Sequence, residues 1–291
     1  MSKGFVMKVF VTGGSGYIGR AVITELARQG HAVEALARSE RAEAAVVAVG
    51  ATSVRGGLGD LAVLNRASAR AEAVIHLAQA VSGDEDLAAA RAMQDGAGAA
   101  PYVHTGGTWV YGDTEGVVDE TAPWNPPGLV AWRKPVEDAV LARVSSGGRP
   151  VIVAPGPVYG RENRLADVFF VRPGTSAGAI PYIGDGGNHW ALVHVDDLAE
   201  LYVAALASAP GSIYVGVGDV TPTMREIAEA AAHGAGLDGK TVSITLDEAK
   251  TEMGPIADCF ALDQRFTSAR ARAELGWVAR HTDPLAVFAQ G

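Results

Sequence analysis

Apolar and polar positions divide this chain into short, almost wholly apolar runs separated by longer Ala-rich segments with an apolar residue every third or fourth place. Residues 8–12, 32–37, 74–78, 102–105 and 151–154 are of the first kind and read as strands covered on both faces. Residues 18–29, 40–49 and 86–93 carry the helical spacing, with Ile18, Val22 and Leu26 on one stripe of the first segment. Strand and helix in alternation imply βαβ units, so the expected class is α/β with a doubly wound parallel sheet.

Beyond Ala154 the regular pattern breaks, and "PGPVYGRENR" and "RPGTSAGAIPYIGDGGNH" are dense in turn formers, which predicts loop and a small lobe. Order resumes in "WALVHVDDLAELYVAALA", a strand leading into a helix that Asp196 or Asp197 would cap. The tail predicts a helix at 224–233, a strand at 241–246 and a last helix near 268–275. The expected organisation is one domain over 1–291, with a discontinuous lobe at about 156–190 and 220–291.

A chain of 291 residues can bury a substantial core. Its 24 Lys and Arg against 33 Asp and Glu give a net charge of -9, which repels phosphate backbones and anionic lipid, so neither nucleic acid nor a membrane surface is an expected partner. No apolar run approaches the roughly 20 residues that span a bilayer, and no basic segment followed by an apolar signal core opens the sequence, so a cytoplasmic location is expected. The six residues before Met7 read as a fraying extension. The single Cys259 reads as a small buried hydrophobe, and with no Cys pair and no His-rich helical spacing no metal site is expected.

The densest chemical signal is "VFVTGGSGYIGRAV". Gly13, Gly16 and Gly19 follow a strand directly and open a helix, a context in which Gly13 serves a tight turn, Gly16 lets backbone approach a pyrophosphate and Gly19 permits close helix–sheet contact. The helix N-terminus offers N–H donors to phosphate, which implies a bound dinucleotide. At the tip of the second strand stand Arg38, Ser39 and Arg41 with no acid, and a guanidinium there suits a 2′-phosphate, so NADP(H) is expected over NAD(H). The alternative is that Arg38 and Arg41 simply form a solvated helix start beside Glu40.

"TGGSGYIG", "GDL" at 59–61, "VIHLA" at 74–78, "WVYGD" at 109–113, "PGPVYG" at 155–160 and "VHVDDLA" at 193–199 run in the order of the extended short-chain dehydrogenase/reductase family, and together resemble its NAD(P)-dependent epimerase/dehydratase branch. The resemblance implies a Rossmann-type sheet with a C-terminal substrate lobe. It implies a cofactor held near Tyr17 and Ile18, with Asp60 and Leu61 flanking the adenine, Leu77, Ala78 and Gln79 lining the cofactor, and Pro155 and Val158 near the nicotinamide. It also implies homodimerisation through the two long helices whose equivalents here are 86–93 and 135–145.

The family's serine or threonine and Tyr-x-x-x-Lys pair hold a substrate carbonyl and exchange a proton near neutral pH. Alignment on "VYG" puts Gly107, Trp132 and Val136 at those positions, so all three are replaced. Val136, Val140 and Val144 share a stripe with Ala139, which supports that register, and Pro135 confines the helix start to the neighbourhood of Trp132. Substitutes are Thr105 and Thr108 at the carboxyl end of a strand, Arg133 as an electrostatic stabiliser, Trp132 as a flat wall for an aromatic or polycyclic substrate, and His189 as an acid. Each has a plainer reading: Thr105 bonding local backbone, Arg133 pairing with Glu137 on the surface, Trp132 in a core, His189 in solvent. Tyr159, Tyr182 and Trp190 lie on segments that could border the pocket, whereas His76, His104 and His194 read as packed strand residues. The expected activity is NADPH-dependent reduction of a small organic carbonyl, enone or imine. A non-catalytic NADP(H) sensor, or a redox-neutral lyase, isomerase or cyclase, is the alternative.

Overall fold

In the computed structural model, which describes residues 6–161 and 166–290, the strands β1 (Lys8–Thr12), β2 (Ala32–Ala37), β3 (Thr52–Arg55), β4 (Ala73–His76) and β5 (Pro101–Thr105) alternate with helices α1 (Tyr17–Arg28), α2 (Glu40–Ala48), α3 (Leu61–Ala69) and α4 (Gly83–Ala97). After β6 (Val117–Val118) comes α5 (Arg133–Leu141), and then β7 (Arg149–Pro155), β8 (Val158–Tyr159), β9 (Ile180–Ile183), β10 (Val193–His194), β11 (Ile213–Gly216), β12 (Thr241–Ile244) and β13 (Arg265–Phe266). Seven of them form one parallel sheet in the order β11-β7-β5-β4-β1-β2-β3, a doubly wound Rossmann-type sheet whose order reverses between β1 and β4. The leading extension lies outside the described residues apart from Val6, as do Glu162, Asn163 and Arg164 of the first turn-rich stretch.

The strands are short and apolar because both faces are covered. Val9, Phe10, Val11, Ile75, Val103 and Val153 have no exposed surface, and each such side chain contributes roughly 1.5–3 kcal/mol of burial. Helices α1 and Val195–Ala205 cover one face, whereas α3, α4 and α5 cover the other. A separate apolar cluster, running from Tyr159 and Phe170 through Trp190 to Phe260 and Phe288, stands at the carboxyl edge, and the nearby segment with Ala271 and Trp277 returns to the sheet core.

Several local expectations change. Strand β3 and helix α3 escaped the pattern because β3 is an edge strand with no fully buried residue and no continuous apolar run. Helix Val195–Ala205 is capped by His194, whose Nδ1 accepts from the Asp196 amide at 3.2 Å, so neither Asp196 nor Asp197 is the cap. Asp197 instead accepts from the Arg280 and His281 amides at 3.1 and 3.0 Å. Helix α4 runs to 15 residues, longer than the segment 86–93 suggested.

Candidate functional site

Gly13 adopts φ +73, and a β-carbon on it would stand 2.6 Å from the Ala78 amide nitrogen, so β1 turns into α1 with β4 pressed against it. A β-carbon on Gly19 would meet the Gly13 carbonyl oxygen at 2.1 Å. Gly16 is the N-cap of α1, with no side-chain cap and no acid in the first turn, which leaves the helix amides to an outside acceptor. This glycine cradle floors a cavity of about 470 Å³ that Arg38 and Leu58 also line. Through Leu77, Ala78, Gln79 and Val81 the cavity continues into a cleft of about 590 Å³ beyond the strand ends. The donors, the space and the bare backbone fit a dinucleotide.

Of the expected cofactor residues, Ile18, Leu77, Ala78, Gln79, Pro155 and Val158 line the cleft, and Gly13, Gly16 and Arg38 line the cavity. Four others are occupied elsewhere. The Tyr17 hydroxyl donates to the Gly160 carbonyl, Ser39 Oγ caps α2 by accepting from the Ala42 amide at 3.2 Å, Asp60 Oδ2 accepts from the Gly57 amide at 2.7 Å, and Leu61 is solvent-exposed. Asp60 thereby shapes the Gly57–Gly59 turn, whose Leu58 reaches the cavity in place of Leu61.

The cleft wall is built from the end of β5 and the start of α5. Thr105 donates its hydroxyl hydrogen to the His76 carbonyl at 2.7 Å and accepts from the Tyr202 hydroxyl at 2.9 Å, so its side chain ties two strands and a helix together. Thr108 lines the cleft, is 1% exposed, and its hydroxyl has no hydrogen-bond partner. Trp132, the N-cap residue of α5, lines the cleft and also rests on α4, where a β-carbon on Gly83 would stand 3.3 Å from it. The Arg133 guanidinium lies 4.9 Å from the Trp132 ring centroid and donates to the Thr105 carbonyl at 3.0 Å. The alternative surface pair of Arg133 with Glu137 does not form, because Glu137 is turned inward and is only 3% exposed. Among the described lining residues there is no tyrosine and no lysine.

Behind this wall lie ionisable groups that the sequence did not advertise. Burial pushes the Glu137 carboxyl up to about 7 against the opposing pull of Arg133, and its Oε1 has no partner. Burial also pushes His104 down to about 3, so its imidazole is neutral. His104 and Asp86 both line the cleft. His189 is held away from it: its Nδ1 lies 2.8 Å from Asp263 Oδ1, and its backbone bridges to Thr223 in the lobe. Tyr159 donates to the His281 carbonyl at 2.8 Å, Tyr182 lies under Arg225, and Trp190 is in the lobe core, so none of the three lines the cleft. Cys259 is buried, and burial raises its thiol to about 11. No described helix is long and apolar enough to cross a membrane.

The sequence matches the NAD dependent epimerase/dehydratase family over residues 9–216. The chain belongs to that family. Membership makes it an NAD(P)-dependent enzyme of oxidoreductase type. An uncharacterized protein of Saccharomyces cerevisiae is 30% identical over 290 residues, covering 93% of this chain and 94% of that one. A 4-hydroxy-2-methyl-3-oxo-4-farnesyl-3,4-dihydroquinoline-1-oxide ketoreductase of Stigmatella aurantiaca is 30% identical over 230 residues, covering 70% of this chain and 66% of that one. A 2-alkyl-3-oxoalkanoate reductase of Stenotrophomonas maltophilia is 28% identical over 232 residues, covering 72% and 68%. Among solved structures, DesIV, a dTDP-glucose 4,6-dehydratase from Streptomyces venezuelae with NAD and TYD bound, superposes with a TM-score of 0.80 at 22% identity, covering 98% of this chain and 96% of that one, and shares the fold.

Proposed function

We propose that the protein is an NADPH-dependent reductase of a small, apolar carbonyl, enone or imine of aromatic or polyketide-like character. The observation that carries this reading is the continuous groove from the glycine cradle to a cleft lined by Trp132 and by Thr108, whose buried hydroxyl has no partner. The names of the Stigmatella and Stenotrophomonas relatives describe reduction of a farnesyl-bearing 3-oxo-dihydroquinoline oxide and of a 2-alkyl-3-oxoalkanoate, ketones that carry ring or alkyl groups in keeping with such a wall. Arg38 at the rim of the cavity supports a 2′-phosphate and thus NADPH.

When bound, the reduced dinucleotide supplies a hydride. Thr108 donates a hydrogen bond to the substrate oxygen, Arg133 stabilises the charge that develops there, and Trp132 orients the substrate plane. With Gly107, Trp132 and Val136 at the positions where the family carries its hydroxyl, tyrosine and lysine, the final proton comes from water. Residues at about 156–190 and 220–291 form the substrate lobe in this reading, and α4 with α5 forms a homodimer face.

The test is a titration of purified protein with NADPH and NADH, followed by a screen of NADPH oxidation against aromatic and β-oxo ketones, enones and imines. Tight NADPH binding with turnover is expected. Binding without oxidation across the panel transfers the assignment to a redox-neutral enzyme or a cofactor sensor, and no binding overturns it.

A further inference from the structure

Three buried side chains from three elements converge at the cleft: His76 on β4, Asp86 on α4 and His104 on β5. One donor atom of each lies within 4.8 Å of the others. His76 Nε2 is 3.8 Å from Asp86 Oδ1, and His104 Nε2 is 3.9 Å from Asp86 Oδ2. Such separations are too long for hydrogen bonds, and His76 Nε2, in a residue only 1% exposed, has no hydrogen-bond partner.

The far side of each ring is anchored. His76 Nδ1 lies 2.6 Å from Thr12 Oγ1, and His104 Nδ1 lies 3.2 Å from the Tyr102 hydroxyl. The Ala80 amide donates to Asp86 Oδ1 at 3.2 Å. In the tautomers that bind an ion, each Nδ1–H donates to its hydroxyl and each Nε2 presents its lone pair beside the carboxylate. Outer hydrogen bonds of this kind orient histidine ligands around an ion.

We propose that His76, Asp86 and His104 bind a divalent transition-metal ion of the zinc class. Two imidazoles and a carboxylate suit such ions, and three protein ligands leave a further position open. Bonds of about 2.0–2.2 Å place tetrahedral neighbours roughly 3.3 Å apart, so the donor atoms have to draw in by roughly 0.5–1.5 Å, within reach of side-chain rotation. Because Asp86 and His104 line the cleft, the open position faces it. On the reductase reading, and resting on it, the ion polarises a substrate oxygen where the family's tyrosine and lysine are replaced. The ion site itself does not depend on that reading.

Chelator-stripped, dialysed protein is titrated with Zn²⁺ against a competing dye, and with Co²⁺ while visible absorption is recorded. One ion per chain with submicromolar affinity is expected, along with the visible bands of a four- or five-coordinate cobalt site. Asp86→Asn and His104→Gln each weaken zinc binding at least 100-fold, and Thr12→Val and Tyr102→Phe weaken it by about 10–100-fold. His281→Gln, which breaks the other grouping of His194, Asp196 and His281, leaves it unchanged. NADPH binding in the same samples reports the fold of each variant and the dinucleotide reading separately. A wild-type protein that takes up no stoichiometric ion, a featureless cobalt spectrum, or undiminished affinity in Asp86→Asn overturns the site whatever NADPH does.

Discussion

The Glu137 carboxylate lies against the Cα of Gly106, so close that a β-carbon there would stand 3.2 Å from Oε1 and 3.3 Å from Oε2. The contact seals the carboxyl from the cleft and strips it of water, which raises its pKa from an ordinary 4.5 to about 7. Because the folded state holds the proton more tightly, stability is greatest below the unfolded value. It falls between about pH 4.5 and pH 7, and is level above that. The loss amounts to about 3 kcal/mol across the window. Glu137→Gln removes it: urea unfolding at pH 5 and pH 8 should show the variant gaining on the wild type by that order at pH 8 and matching it near pH 5. Parallel pH dependence in the two proteins refutes the buried acid.

The two threonines of the wall separate structure from chemistry. Thr105→Val leaves the Tyr202 hydroxyl and the His76 carbonyl without their partner, and is expected to cost roughly 1–3 kcal/mol in thermal or urea unfolding. Thr108→Val removes a buried hydroxyl with no partner, so stability is unchanged or rises by about 1 kcal/mol. The kcat/KM for a ketone substrate falls about 10-fold or more, the worth of one hydrogen bond. Equal effects of the two variants on kcat/KM would remove Thr108 from its assigned place.

Arg38 is exposed just past the end of β2 and lines the cavity above the glycine cradle. A guanidinium on a 2′-phosphate contributes charge-assisted hydrogen bonds that NADH cannot receive. Arg38→Ala should therefore raise the Kd for NADPH about 10–100-fold and leave that for NADH within about 2-fold, by fluorescence titration. A uniform loss for both cofactors identifies Arg38 as a general structural contact instead.

The glycine turn was legible because its chemistry is local: a tight turn, a bare approach and a close helix contact fall on Gly13, Gly16 and Gly19 within seven residues. The wall was not. Arg133 and Glu137 stand four apart and look like a surface pair, yet α5 also buries Val136 and Val140, and the apolar stripe is wide enough to carry Glu137 inward. Periodicity marks the centre of a buried face and leaves its edges open, so a carboxylate at such an edge reads as exposed. His76, Asp86 and His104 were invisible as a group because each comes from a different element, and only the parallel pairing of β4 with β5 sets His76 beside His104. His189 looked available because nothing near it in sequence announces Asp263, which binds it from the far end of the lobe.

On the proposed reading, Trp132→Tyr with Val136→Lys restores the family's tyrosine and lysine and tests whether the site was rebuilt or merely lost its acid. Trp132 is half-buried at the helix start, so Trp132→Tyr alone should retain the fold and NADPH binding, at a cost of about 1–2 kcal/mol for the smaller ring. Val136 is 2% exposed and shares an apolar cluster with Met93, Tyr102 and Val140. A lysine there places an ammonium among these side chains, where it must deprotonate or disrupt the packing, and the double variant should lose more than about 3 kcal/mol in urea unfolding. Such a loss means that the helix face behind the cleft has been repacked as core and no longer accommodates a tuning lysine. If the double variant instead keeps wild-type stability and gains ketone turnover with a new acid limb in its pH profile, position 136 opens towards the cleft. The water-borne proton assigned to this enzyme would then be replaceable by the side-chain acid of its family.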